Sequence, residues 1–399
     1  MTRVQVALSA LIAGAVVAAA SLAPGGTPVA GAVDRLSRAG PARPGRPTSR
    51  PEQCSSLVLH NGGATLFGAN FDQARVDAGL VFVNQRGVGK TSMLAGTTGT
   101  YARWVSRYAS ITFNLVGFGF PWAGMNERGL VLSSMSLAST SDPRADPRPP
   151  LDSGEWIQYM LDTSATVEEV IATDAVVRII TVDHYLVADA LGNVAAVEFL
   201  GGRMVVHTGA ELPAPVLTNS TYDSSVQTWL SYRRAGNSNY SRLDSSLQRF
   251  CLAADRAEAF RPCDNATAVA YAFDTLQQIA GERFSIHSSQ WSIVFDVANT
   301  RAWFRTLRHP YIRFVDLAQF DPWCTTPVQM LDIHAGPAGD VTGYFANYSH
   351  DTNLEHMRHF LEDWGIAFSE LGLQWRVQRV ESFPCQRYRP PRKHLTSAP

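Results

Sequence analysis

The chain has 399 residues, 45% of them hydrophobic, with 34 Lys+Arg against 35 Asp+Glu for a formal net charge of −1. The near-neutral balance gives no electrostatic case for nucleic acid. Beyond the N-terminal run described next, no apolar stretch is long enough to span a bilayer.

Residues 1–53 do not read as part of a fold. Met1-Thr2-Arg3 is a short basic start to the apolar run Val4–Ala23, and small-residue cleavage options such as Ala30-Gly31-Ala32 follow. This is the pattern of a secretory signal over residues 1–32; an uncleaved anchor is the competing reading, given the length of the run. Residues 33–53 are rich in Arg, Pro and Gly without hydrophobic periodicity, so they cannot offset their ordering entropy by burial. They could form a tether, a basic patch or a pro-segment. Strand pattern begins abruptly at Cys54, which favours a pro-segment cut between Gln53 and Cys54. No Leu-x-x-Cys lipobox precedes Cys54. The expectation is an exported protein, periplasmic or extracellular, without stable membrane anchoring. One catalytic domain then occupies residues 54–399, and roughly 345 residues suffice for a large core.

From Cys54 to Asp72 the pattern is a hairpin: apolar runs Ser56–His60 and Ala64–Gly68 joined by Asn61-Gly62-Gly63. A cysteine starts the first strand and an aspartate ends the second, where the hairpin returns it beside the cysteine. Taken alone, such a hairpin would use its cysteine as a small buried hydrophobe. A strand is expected at Gly79–Asn84. Gly87-Val-Gly-Lys90-Thr91 imitates a phosphate loop, but Asn84 stands where that motif needs glycine, so it reads as a turn. Strand Ser110–Val116 leads to a loop over Gly117–Gly124 carrying Phe118, Phe120 and Trp122, either core plugs or the wall of an apolar pocket. A tight turn, Met125–Leu130, opens the strand Leu130–Leu137, and a surface loop covers Ala138–Leu151.

Helices are expected at Ser153–Asp162 and Val167–Thr173, the second opened by the capping box Thr166-x-x-Glu169. A meander follows over Val177–Val182, His184–Ala188, Ala195–Phe199 and Met204–His207. Val216–Asp223 reads as a strand entering a polar turn. Helices Asp244–Ala257 and Asn265–Ala280, strands Gln290–Asp296 and Ala302–Thr306, and a last helix Asn353–Ser369 complete the order. Clustered strands and helices without βαβ alternation suggest an α+β fold of antiparallel sheets faced by helices.

Cysteine arithmetic points the same way. Of Cys54, Cys251, Cys263, Cys324 and Cys385, pairing Cys251 with Cys263 and Cys324 with Cys385 leaves Cys54 as the free thiol, although sequence does not prove connectivity. A cysteine that becomes the first residue of a mature chain carries its own base, an α-amine of pKa about 7.7–8.0. It would need a carboxylate to hold the amine, donors for an oxyanion and a group to tune the thiolate. Asp72, Asn219 and Arg249 suit these roles, while each also has an ordinary reading as turn residue, glycan acceptor or solvated helix face. A papain-like pair would want its cysteine at a helix start, not a strand start. No Gly-x-Ser-x-Gly elbow occurs. His350, His356 and His359 lack metal-site spacing and read as a polar helix face; no metal or cofactor is expected.

The motifs, in order, are Cys54-Ser55, FGANFD (67–72), VNQRGVGK (83–90), GMNERGL (124–130), VLTNSTYD (216–223), SSLQRF (245–250) and WSIVFD (291–296). With them the chain resembles the choloylglycine hydrolase / penicillin V acylase family, linear-amide C–N hydrolases of the N-terminal nucleophile superfamily. The resemblance implies a four-layer αββα sandwich and a precursor cut before Cys54. It implies hydrolysis of a small N-acyl amide, of bile-salt, penicillin V or N-acyl amide type, through a thioester. Carried over by position, Cys54 would be nucleophile and base, and Asp72 would orient the amine. Asn219 and the backbone N–H of Ser136 would form the oxyanion hole, with Arg249 supporting the nucleophile. Phe118, Phe120, Trp122 and Met135 are the candidates for an apolar acyl pocket. Two departures stand out: Ala69 replaces a usual basic residue, commonly Arg, and Ser136 a usual Asn or Tyr. A homo-oligomer is compatible with the resemblance, but the segment between Asn219 and Arg249 is short for the loop that builds a tetramer. An acyltransferase of the same superfamily and a catalytically silent exported binding protein are the alternatives, the latter supported by Ala69.

Overall fold

In this computed structural model the structure describes residues 54–61, 64–73, 78–262, 264–281, 288–363 and 369–386. The expected signal, pro-segment and Gly62-Gly63 turn therefore lie outside the described residues.

The strands in chain order are β1 (Ser55–Asn61), β2 (Ala64–Asp72), β3 (Leu80–Asn84), β4 (Gly89–Ala95), β5 (Tyr101–Val105), β6 (Ser110–Asn114) and β7 (Pro121–Asn126). They continue as β8 (Val131–Ser136), β9 (Pro150–Asp152), β10 (Arg178–Ile180), β11 (Asp183–Ala188), β12 (Val194–Leu200), β13 (Arg203–Thr208) and β14 (Val216–Leu217). The last are β15 (Ser289–Asp296), β16 (Arg301–Thr306), β17 (Arg313–Asp316), β18 (Gln329–Asp332), β19 (Gly339–Asp340) and β20 (Ala346–Asn347). The helices are α1 (Ser153–Thr163), α2 (Val167–Ala172), α3 (Tyr222–Arg234), α4 (Ser245–Glu258), α5 (Asn265–Gln278), α6 (His350–Asp363) and α7 (Glu370–Glu381).

Two large sheets result, in the orders β14-β1-β2-β15-β16-β17-β19 and β13-β12-β11-β8-β7-β6-β3-β18-β20. Both are antiparallel apart from the β17–β19 pair at one edge. Period-two alternation assigns the faces. Along β8, β11 and β12, Met135, Leu186, Ala188 and Ala196 join the core between the sheets. The intervening Leu132, Tyr185, Val187, Ala195 and Val197 pack under Trp156, Ile157 and Met160 of α1 and Val170 of α2. On the far side, α4 packs on β1 and α5 on β2 and β15. The layers are helix, sheet, sheet, helix, as the α+β αββα expectation has it.

The GMNERGL stretch shows why glycine and asparagine stand where they do. A Cβ on Gly124 would lie 2.7 Å from Leu161 and 2.8 Å from the Ile111 carbonyl, so only glycine lets α1 approach β7 this closely. Gly129, at φ 79°, makes the turn. Asn126 spans both, accepting from the N–H groups of Arg128 (3.0 Å) and Leu130 (3.1 Å) while donating to the carbonyls of Leu161 and Ser164, 2.8 Å each.

Several boundaries differ from expectation. Pro121–Asn126 is a strand, not the end of a loop. The polar stretch after Leu217 becomes α3 at Tyr222, capped by tertiary partners and not by its own Thr221 side chain. The last expected helix ends at Asp363, and a separate α7 follows the undescribed residues 364–368. Cys324 and Cys385 are disulfide-bonded with Cα atoms 5.5 Å apart. The expected Cys251–Cys263 pairing is corrected: Cys251 is a free thiol sunk in the core face of α4, and Cys263 lies outside the described residues. Burial, with help from Asp255, pushes the Cys251 thiol up to about 12. His350, His356 and His359 do not converge either. His350 Nδ1 sits 2.9 Å from Glu381, and His356 Nε2 donates to the Leu115 carbonyl at 2.9 Å. Among the described residues no helix is long and apolar enough to cross a membrane.

Candidate active site

The β1–β2 register pairs Ser55 with Asn70, and one further step sets Cys54 beside Phe71, with Asp72 next along β2. Alternation divides the neighbours by face. Ser56 crosses to the second sheet, its Oγ 2.6 Å from Ser133 Oγ, and Cys54, two residues earlier, shares that inter-sheet face. Ser55 points the other way, toward α4. Cys54 is fully buried within the inter-sheet core.

Arg249 joins the pieces. Its place one helical turn after Ser245 on α4 lets Nε donate back to the Ser245 carbonyl at 3.1 Å, aiming the guanidinium at the end of β1. Nη1 donates to the Cys54 carbonyl at 2.7 Å and to Ser55 Oγ, and Nη2 donates to Asn219 Oδ1 at 2.9 Å. Burial draws the Arg249 pKa down, and the charges of Asp72 and Cys54 act against that.

Asn219 follows β14. Its backbone N–H is held by Ser246 Oγ at 3.0 Å, and its side-chain Nδ2 donates to the Ser136 carbonyl at 2.9 Å. With Oδ1 fixed by Arg249, the amide orientation is determined: Nδ2 faces the Ser136 edge of β8. Leu137 N–H bonds to the Val182 carbonyl, so Ser136 sits at the alternate position, where its N–H and C=O both point away from β11. The Ser136 N–H therefore faces the side on which Asn219 lies. The Ser136 side chain points elsewhere, toward Asp183.

Asp72 is fully buried, and burial lifts its pKa to about 7 against the lowering effects of Arg249, Ser289 and the Gly281 backbone. Oδ1 accepts from Ser289 Oγ; Oδ2 has no hydrogen-bond partner in this structure. A buried carboxylate oxygen without a donor is costly and calls for a reason.

Of the four expected pocket residues, Trp122 and Met135 join Cys54 in the inter-sheet core. Trp122 packs against Phe71 (ring centroids 5.3 Å) and Trp291 (6.3 Å), and Phe71 against Trp291 (4.8 Å). Phe118 and Phe120 lie outside that cluster. Gly117 and Gly119 take positive φ, and the loop turns away before β7 begins. Phe118 then packs on Phe82 and Tyr348. Phe120 lies under Arg376, 3.7 Å from its guanidinium carbon. Sequence reading did not single out Phe71 and Trp291, whose rings pack on Trp122, although both lie inside the FGANFD and WSIVFD stretches. It also missed Ser246 and Ser289, whose hydroxyls hold Asn219 and Asp72. Ala69 is buried between Ser56 and Ile293 of the flanking strands.

The profile of the linear amide C–N hydrolases, choloylglycine hydrolase family, matches residues 54–321. A penicillin V acylase from Pectobacterium atrosepticum is 26% identical over 277 residues, covering 57% of this chain and 71% of that protein. Among solved structures, penicillin V acylase from Agrobacterium tumefaciens superposes with a TM-score of 0.64 at 24% identity, over 74% of this chain and 98% of that one. A variant of conjugated bile acid hydrolase from Clostridium perfringens gives 0.57 at 17% identity, over 74% and 97%. At these identities the two structures speak for the shared fold.

Proposed function

Because the chain belongs to the choloylglycine hydrolase family of linear amide C–N hydrolases, we propose that it cleaves a small N-acyl amide with Cys54 as nucleophile, after loss of residues 1–53 in an exported precursor. The carrying observation is the Arg249 guanidinium, which holds the Cys54 carbonyl and the Asn219 amide at once.

The freed α-amine of Cys54, with a pKa of about 7.7–8.0, takes the thiol proton. The thiolate adds to the amide carbonyl, forming a C–S bond, and the oxygen becomes an oxyanion that Asn219 Nδ2 and the Ser136 N–H receive. Such preorganised donors are worth most where water is excluded. Collapse of the intermediate breaks the C–N bond; the departing nitrogen takes its proton from the ammonium and leaves a thioester. Water, deprotonated by the amine, adds to the thioester and releases the carboxylic acid and the thiol. Asp72 Oδ2, unpartnered while the chain is joined to residue 53, is the acceptor for the ammonium. Phe71, Trp122, Met135 and Trp291 would receive an apolar acyl group.

A second reading, a silent binding protein, draws on Ala69, where the family usually carries a basic residue. Thiol reactivity separates the two. Protein recovered from an exporting host should begin at Cys54 by N-terminal sequencing and intact mass. It should take one iodoacetamide at Cys54 and hydrolyse members of an acyl-amide panel. A mature chain that keeps residues 33–53, or a Cys54 that resists alkylation in a native fold, would overturn the hydrolase assignment to Cys54.

A further inference from the structure

A second buried polar group lies behind the Asn219 turn and has no part in the chemistry above. Tyr185 pairs with Val197 across β11 and β12, and one step further sets His184 opposite Glu198. Both side chains are fully buried, and both face the first sheet, because His184 is the partner of Met135, whose side chain lies between the sheets. His184 Nε2 donates across the sandwich to the Thr218 carbonyl at 2.6 Å, and His184 Nδ1 meets Glu198 Oε1 at 3.0 Å. The same Glu198 oxygen accepts from the Tyr222 N–H at 3.1 Å, at the first residue of α3. Glu198 Oε2 lies 3.5 Å from His207 Nε2 without a hydrogen bond between them, and His207 Nδ1 is 3.8 Å from Asp223.

The pair therefore grips residues 218–222 at both ends, by the carbonyl before Asn219 and by the N–H that starts the next helix. A carbonyl only accepts, so Nε2 carries a proton in every state that keeps this bond. Ser246 Oγ fixes the Asn219 N–H and Arg249 fixes its side-chain oxygen, both from α4, and neither of these bonds takes the Thr218 carbonyl. From the second sheet, His184 holds the Thr218 carbonyl and Glu198 the Tyr222 N–H, on either side of the bond from Asn219 Nδ2 to the carbonyl of Ser136, the residue whose N–H is the other proposed oxyanion donor.

We infer that His184 and Glu198 are positioning residues for the oxyanion site: through Thr218 and Tyr222 they set the distance between the Asn219 amide and the Ser136 N–H. This rests on the hydrolase reading above. Removing one oxyanion donor typically costs 10²–10³ in rate, and displacing one costs less.

The test uses the mature enzyme with His184→Gln and Glu198→Gln. Glutamine at 184 can donate to Thr218 but cannot bridge to Glu198 at the same time. The expected result for His184→Gln is a kcat about 10–100-fold lower with KM within about twofold. Affinity for octanal, which adds to the thiol and presents an oxyanion, should fall by the same factor. Binding of octanoate and the alkylation rate of Cys54 should stay unchanged. Glu198→Gln, which keeps the acceptor for Tyr222, should lose less. The inference is overturned by unchanged kcat and octanal affinity in His184→Gln. Equal losses of octanal affinity, octanoate affinity and thiol reactivity would also overturn it, because general loosening would explain them. Asn219→Ala is the control for the underlying reading: if it keeps full kcat, the oxyanion assignment fails, whatever His184 does.

Discussion

Two buried carboxylates in this molecule have their pKa pushed up, Asp72 by burial to about 7 and Glu155 by burial and the neighbouring Asp152. Nothing in those directions tells them apart. Their bonding does. Glu155 is the third residue of α1 and closes a capping box with Asp152, taking the Asp152 N–H on Oε2 at 3.3 Å and the Met93 N–H on Oε1 at 2.6 Å. Around it, Asp152 pairs with Arg376 at 3.0 Å and Lys90 with Asp162 at 2.8 Å. Asp72 has one oxygen engaged and one without a donor, a step along the chain from the residue opposite Cys54. Burial is common to both acids; what separates them is that Glu155 has both oxygens engaged and Asp72 only one.

The sharpest test of that contrast is Cys54→Ala, which should abolish turnover with an acyl-amide substrate while leaving the melting temperature near that of the parent. Asn219→Ala follows, expected to lower kcat by about 10²–10³ with a small change in KM. Asp72→Asn should reduce kcat/KM by at least tenfold at every pH, and it should also alter stability. In the parent, the native chain keeps a proton on Asp72 that the unfolded chain has lost between about pH 4 and pH 7, so this residue makes stability fall as pH rises through that window. The Asn variant of the precursor should lack that slope and melt several degrees higher at pH 7.5, read by calorimetry at pH 4.5 and 7.5. Trp122→Ala should raise KM for apolar acyl amides about tenfold with kcat nearly kept, since it removes wall and not chemistry. Glu155→Gln should leave kcat/KM within twofold; a large loss would dissolve the contrast between the two acids.

Much of the fold was readable because its strands alternate and its helices carry caps. The β1–β2 hairpin, the β8–β13 meander and the Asp244 start of α4 all announce themselves locally. Pro121–Asn126 did not, because all six of its residues are buried and glycine and proline interrupt any period. The short strands β17 to β20, toward one edge of each sheet, are held by neighbours more than by their own composition. At the site, Cys54 and Asp72 were legible as the two ends of one hairpin. Asn219, Arg249 and Ser136 are brought together by tertiary structure; the first two were suggested by what the cysteine's chemistry needs, and Ser136 came only through family resemblance. Phe118 and Phe120 pack outside the cluster that holds Cys54, and composition cannot say which way a loop turns.

The grip of Arg249 on Cys54 falls on its carbonyl, downstream of the bond that would be cut. If the proposed cut before Cys54 takes place, this bond lies on the retained side of it, a rope tied off inboard of the cut, and the hold of α4 on Cys54 does not depend on the residues removed.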